Sequence, residues 1–268
     1  MAGNYVYPGG TLDKGDDNKE VLSRCITAAQ HGVGESERAP ADLPGYRIAA
    51  IRELFEEAGV LLAYRKGRAA FKFMNDAEQQ KFSDYRKKLN AGEITLFELA
   101  VQEDLYLAFD QLIYYTHWIT PEAIPVRFDT RFFVARHPGG QEATPDHKET
   151  TDGVWIAPGK ALEANTQGSI PLSPPTLKTL EDVARFETLD SFLNSLAGAE
   201  RKPTVLPVSV TIANETVLIY PWDPEYERYR SDAENYALKH VSHGRASTAS
   251  DNTTRLVYRK GLWLPFVK

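Results

Sequence analysis

The chain has a single cysteine, Cys25, so no disulfide can form within it. Folds that depend on several disulfide staples are excluded, and a reducing compartment is expected. No apolar run reaches the roughly 18 residues that cross a bilayer as a helix, and the first residues do not have the form of a signal peptide. A basic excess is also missing: 31 Lys and Arg stand against 37 Asp and Glu, a net charge of −6 with a pI near 5.6. That balance argues against a general binder of nucleic acid or of an anionic membrane surface. Internal repeats and low-complexity tracts are absent. These absences predict a cytoplasmic protein whose partner is neither nucleic acid nor membrane. An acidic chain can still take a phosphate substrate, provided a metal bridges the charges.

In 268 residues a full hydrophobic core can be buried, so one large domain, or one with an appendage, is expected. "YVYPGG" at residues 5–10 reads as the end of a strand entering a glycine turn. Residues 14–45 are charged and punctuated by Gly and Pro, an inserted loop with a short helical stretch near Val21–Ala29. Between Tyr46 and Ala58 the residues Ile48, Ile51, Leu54, Phe55 and Ala58 recur at spacings of three and four, which is a helix stripe. Gly59 stands where a helix end favours a left-handed residue. Residues 76–91 and 94–108 have helical periodicity and predict an inserted helical pair. "QLIYYTHWIT", "RFDTRFFVARH" and "DGVWIAP" read as strands, and "PGKALEAN" as a short helix. A proline-rich joint at "SIPLSPP" leads into helices to about Leu196. "TVLPVSVTIANETVLIYPWD" reads as a two-stranded ribbon turning near Ala213-Asn214. The organisation predicted is a mixed α+β domain over residues 1–200, with insertions at about 14–45 and 66–108. A C-terminal extension, residues 201–268, would pack on it.

Residues 52–60, "RELFEEAGV", carry the most chemistry. On a helix, positions three and four apart are neighbours, so Glu53, Glu56 and Glu57 converge on one edge. Crowded carboxylates repel one another, and no lysine stands at those spacings. The simplest compensation is a hard divalent cation taking oxygen ligands, Mg²⁺ or Mn²⁺. A bare pair of glutamates would read as a solvated helix face; the whole nine-residue pattern is far more specific.

That pattern, Arg-Glu-aliphatic-x-Glu-Glu-x-Gly-aliphatic, resembles the second half of the Nudix box without a mismatch, and Pro8-Gly9-Gly10-Thr11-Leu12-Asp13 resembles the first half. Six residues after Gly10, where the family has glutamate, stands Asp16, an acid one methylene shorter. Between Asp16 and Arg52 lie 35 residues where the family has seven, and counting seven back from Arg52 lands on Pro44. The identity of the first acidic position therefore stays open. A split box of this kind is similar to the Nudix subgroup related to peroxisomal coenzyme A diphosphatase. The similarity runs from about Tyr5 to Leu180 and includes "HWITP", "RFDTRFF" and the Glu149–Trp155 spacing.

The resemblance implies a Nudix α/β/α sandwich with a mixed sheet, acting on a small nucleotide substrate. It implies metal ligation by Glu53, Glu56 and Glu57, with a backbone oxygen from Gly9 or Gly10, and a general base among the acids of the "DHKETTD" loop, Glu149 foremost. Arg52 would orient the glutamates by ion pairing. Coenzyme A or its acyl esters are the favoured substrates. Rival readings are an ADP-ribose or NADH-type pyrophosphatase, and a non-catalytic nucleotide-binding domain. Arg127, Arg131 and Arg136 are candidates to face phosphates, although their spacing on a strand does not put all of them on one face. So few residues precede Tyr5 that the preceding strand of the family sandwich has no source. The expectation is self-association, as in a homodimer, or a longer parent chain.

Overall fold

The computed structural model describes residues 3–17, 19–27, 43–66, 69–146, 152–197, 199–200, 202–231, 245–246 and 253–267. They fall into two compact units. The first consists of Pro8–Tyr114 and Phe133–Val154; the second of Met1–Tyr7, Tyr115–Phe132 and Trp155–Lys268.

In the first unit the central helix is α1 (Leu43–Ala58). Pro44, near its start, removes an N–H that the first turn leaves unbonded in any case. Gly59 ends it with φ +69°, its N–H donating to the Phe55 carbonyl at 2.9 Å. Ile48, Ile51 and Phe55 are buried in the core, as the stripe predicted. The helix α2 (Asp76–Asn90) begins at Asn75, whose side chain accepts from the Glu78 N–H. A capping box of Thr95 and Glu98 starts α3 (Leu96–Gln102). Strands β1 (Cys25–Ile26), β2 (Ala63–Arg65) and β3 (Leu105–Ala108) form a mixed sheet ordered β1-β3-β2, with β1 parallel and β2 antiparallel to β3. Cys25 is buried, which pushes its thiol up to about 12.

Two expectations are corrected. Residues 94–108 are not one helix: Asp104 adopts φ +48°, which no α-helix continues through, and the next four residues enter the sheet as its middle strand. Near residue 21 the helical stretch is a 3₁₀ turn, Lys19–Arg24.

In the second unit, β6 (Val208–Ile212) and β7 (Glu215–Ile219) form the predicted ribbon. Ala213 and Asn214, at φ +50° and +64°, make a turn whose twist matches that of the strands. With β8 (Arg245–Ala246), β9 (Arg255–Arg259) and β10 (Leu262–Val267) the ribbon builds a five-stranded antiparallel sheet ordered β6-β7-β9-β10-β8. Helices α4 (Pro158–Gln167), α5 (Pro174–Val183), α6 (Leu189–Leu196) and α7 (Tyr226–Ser231) complete it. Tyr5 makes a parallel bridge to Leu172. Strands β4 (Ile113–Ile119) and β5 (Asp129–Val134) pair in a separate two-stranded sheet.

"DGVWIAP" is not a strand. The Gly153 N–H is taken by the Asp152 side chain at 2.9 Å, a local bond that competes with ladder pairing, and Trp155 is exposed. Among the described residues no helix is long and apolar enough to cross a membrane.

Candidate active site

The first unit gathers the box residues around one guanidinium. Arg52 is buried, and its five N–H donors all find acceptors. Nε donates to Asp16 Oδ1 at 3.2 Å, and Nη2 to Asp16 Oδ2 at 2.9 Å and to the Thr11 carbonyl at 2.8 Å. Nη1 donates to Glu53 Oε1 and Glu56 Oε2, both at 2.8 Å. A planar fork of fixed geometry thus ties three carboxylates and a backbone oxygen into one cluster, which a lysine could not do. Burial works against the Arg52 charge, but Asp16, Glu53 and Glu56 together raise its pKa above its ordinary value.

Glu56 lies above the usual glutamate range. Burial is the main cause, partly offset by Arg52, while Glu53 and Asp13 push it further up. Glu57 accepts the Gly9 N–H at 3.1 Å, so the glycine turn and the helix touch directly. Gly10 is required by close approach: a Cβ there would sit 2.3 Å from Glu53 Oε1, a side chain Arg52 already pins. The sequence-predicted residues Gly10, Arg52, Glu53, Glu56 and Glu57 therefore stand together. Glu149 lies outside the described residues.

Asp16, six residues after Gly10, is the acid that meets Arg52. It is buried, with Oδ2 also accepting the Asp13 N–H at 2.8 Å. Counting six from Gly10 was the signal, and the shorter side chain still reaches Arg52 with both oxygens.

Arg86 carried no local signal. From α2 it donates through Nε to the Glu56 carbonyl at 2.8 Å, and through Nη2 to the Thr144 carbonyl at 2.9 Å. Thr144 N–H in turn donates to the Ala58 carbonyl at 2.9 Å. Gly59 is needed a second time here, because a Cβ would meet Arg86 Nη1 at 3.1 Å and Thr144 Oγ1 at 3.3 Å. A cation on the last carbonyls of α1 also complements the helix dipole. Arg86→Ala should lower stability by about 2 kcal/mol, the scale of charged hydrogen bonds, with Arg86→Lys recovering part of it. Urea denaturation measures the loss, and a change below about 0.5 kcal/mol would show that the clamp is idle.

Of the candidate phosphate-facing arginines, Arg127 donates to the Thr120 carbonyl at 3.1 Å and Arg131 to Asp129 at 2.5 Å, both within the second unit. Those bonds give the two side chains local, structural partners.

The donors of the cluster are carboxylate and carbonyl oxygens, which suit a hard divalent cation. Among the described residues no three acidic, His or Cys side chains already converge as a metal cage. Arg52 engages an oxygen of each of Glu53 and Glu56, and Gly9 one of Glu57.

Residues 17–185, well over half the chain, match the family described as the NUDT19 Nudix domain. The chain belongs to this Nudix family. Acyl-coenzyme A diphosphatase NUDT19 of Gallus gallus is 28% identical over 277 residues, covering 84% of this chain and 71% of the relative. The Homo sapiens protein of the same name is 26% identical, covering 84% and 68%. The crystal structure of a NUDIX hydrolase from Alicyclobacillus acidocaldarius matches with a TM-score of 0.56 at 21% identity, over 75% of this chain and 83% of that one. At that identity the likeness establishes the Nudix fold, in agreement with the α+β class and the mixed sheet read from the sequence.

Proposed function

We propose that this Nudix chain is a diphosphatase that hydrolyses the diphosphate of coenzyme A or acyl-coenzyme A in the presence of Mg²⁺ or Mn²⁺. The observation carrying the reading is the Arg52-centred cluster, with Glu57 on the Gly9 N–H and Gly10 against Glu53. Relatives named acyl-coenzyme A diphosphatase narrow the substrate class.

Glu53, Glu56 and Glu57 would hold the cation, with the Gly10 carbonyl as a further oxygen. When bound, that cation neutralises diphosphate charge and lowers the pKa of a water. The protein's own part is positional. Arg52 fixes the rotamers of Glu53 and Glu56, Asp16 fixes Arg52, and Gly10 leaves room for the Glu53 carboxylate. Glu149, six residues before Trp155, is the proposed general base. Rigid support of this kind matters because attack at phosphorus is accelerated mainly by orientation and charge stabilisation.

A small substrate panel tests the reading. With Mg²⁺, coenzyme A should release 3′,5′-ADP and 4′-phosphopantetheine, and do so with a higher kcat/KM than AMP is released from ADP-ribose or NADH. A preference for ADP-ribose would reassign the substrate. No turnover of any diphosphate, with binding retained, would make the domain a nucleotide binder.

A further inference from the structure

The second unit holds a cavity of about 520 Å³, lined by no residue of the Arg52 cluster. Its volume lies in the ordinary range for small-molecule sites. On one side α5 presents Lys178 and Asp182, with Arg185 just beyond; Lys202 faces them from another segment. All three cations gather on a single carboxylate. Lys178 Nζ is 2.9 Å from Asp182 Oδ1, Lys202 Nζ is 2.9 Å from Oδ2, and Arg185 Nη2 is 3.9 Å from Oδ1.

Burial works against the charge on Asp182, but Lys178 and Lys202 hold its carboxyl below the usual range, so it stays ionised. Glu181, behind the lining, reaches Lys178 at 3.4 Å and accepts from Thr253 Oγ1 at 2.9 Å. Among the described residues, Lys178, Arg185 and Lys202 thus cluster around Asp182 and Glu181, in a chain whose net charge is −6.

Beside this charge lies an indole that is held in place and partly open to solvent, with Lys178 Nζ over its ring at 5.7 Å from the centroid. Trp222 is 42% exposed although its Nε1–H donates to the Thr253 carbonyl at 2.9 Å. Its ring packs 4.7 Å from that of Tyr220 at a 32° tilt. The buried Trp118 and Tyr115 complete an apolar wall. A fixed, partly solvent-facing aromatic beside clustered cations is a pairing that suits a flat ring carrying an anion, through stacking on one part and charge-assisted bonds on the other.

We propose that this cavity is a binding site for an organic phosphate of the nucleoside monophosphate type, its ring on Trp222 and its phosphate on Lys202, Arg185 and Lys178. The site is independent of the reaction proposed for the Arg52 cluster.

Calorimetric titration of the full chain with AMP in EDTA tests it, since removing divalent cations removes metal-bridged binding elsewhere. AMP should bind, while adenosine (no phosphate) and ribose 5-phosphate (no ring) should each bind at least about tenfold more weakly, a loss of about 1.4 kcal/mol. Trp222→Leu and Arg185→Ala, both at solvent-exposed side chains, should each weaken AMP by a similar factor, with thermal melting as the check on folding. Glu57→Gln should bind AMP as the parent does. The proposal is overturned if millimolar AMP gives no heat, if ribose 5-phosphate binds as well as AMP, or if both cavity variants bind AMP normally. It is equally overturned if Glu57→Gln abolishes binding, because AMP would then sit at the Arg52 cluster.

Discussion

Glu57→Gln should lower kcat for coenzyme A on the order of a thousandfold, the scale of losing one preorganised charge at a reacting phosphate, while the fold persists. The substitution keeps the shape and an oxygen that can still accept the Gly9 N–H, now 3.1 Å from Glu57 Oε2. What it removes is one negative charge and one strong oxygen ligand. Glu57 is not among the partners of Arg52, so the ion-pair cluster of Asp16, Glu53 and Glu56 should survive the change. Activity and stability are thereby separated at this position. Steady-state kinetics with saturating Mg²⁺, alongside a thermal melt, make the measurement. A kcat within about tenfold of the parent, or about 1.4 kcal/mol in barrier, would remove Glu57 from the proposed ligand set.

The part of the site carried by α1 was legible because a helix converts sequence spacing into geometry. Glu53 and Glu56 are three apart, Arg52 and Glu56 four apart, and all are joined in the structure. The glycine turn was legible for a similar reason, since only a residue without Cβ fits against Glu53. Asp16 was legible only as a count from Gly10, because the 35 residues before Arg52 erase the family's spacing. Arg86 was out of reach: its contacts to Glu56 and Thr144 join residues 30 and 58 positions away. The same limit affected the fold. Periodicity found α1 and α2, yet "LYLA" was absorbed into a helix, because four residues are too few to declare a strand and the break depends on the φ of Asp104.

The long insertion costs the cluster little. Chain-closure entropy scales as 1.5RT times the logarithm of the separation, so 35 residues in place of seven add about 1.4 kcal/mol. A buried ion pair left without one partner costs about 3–5 kcal/mol. Leaving Asp16 or Arg52 without its partner would cost more than the added separation does, so a box can be split in sequence and closed in space.

The same numbers set the second large effect. Arg52→Met should destabilise the protein by about 3–5 kcal/mol at pH 7, although methionine fills much of the volume. Asp16, Glu53 and Glu56 are all buried, and each would lose its bond to the guanidinium while keeping its desolvation cost. The pH dependence separates this cause from a packing defect. For Glu56, burial already raises the folded pKa, and Arg52 supplies the charge and the hydrogen bond that lower it. With Arg52 removed, burial and the neighbouring carboxylates act alone, so the folded state holds protons more tightly still. A group with a raised folded pKa contributes most below its unfolded value, about 4.3 for glutamate, and loses that contribution as pH rises through the folded value. The difference in stability between Arg52→Met and the parent should therefore shrink as pH falls from 7 towards 5. Urea denaturation of both proteins across that pH range gives the answer. A gap that stays constant with pH would mean that Arg52 acts by packing and not by neutralising the carboxylates.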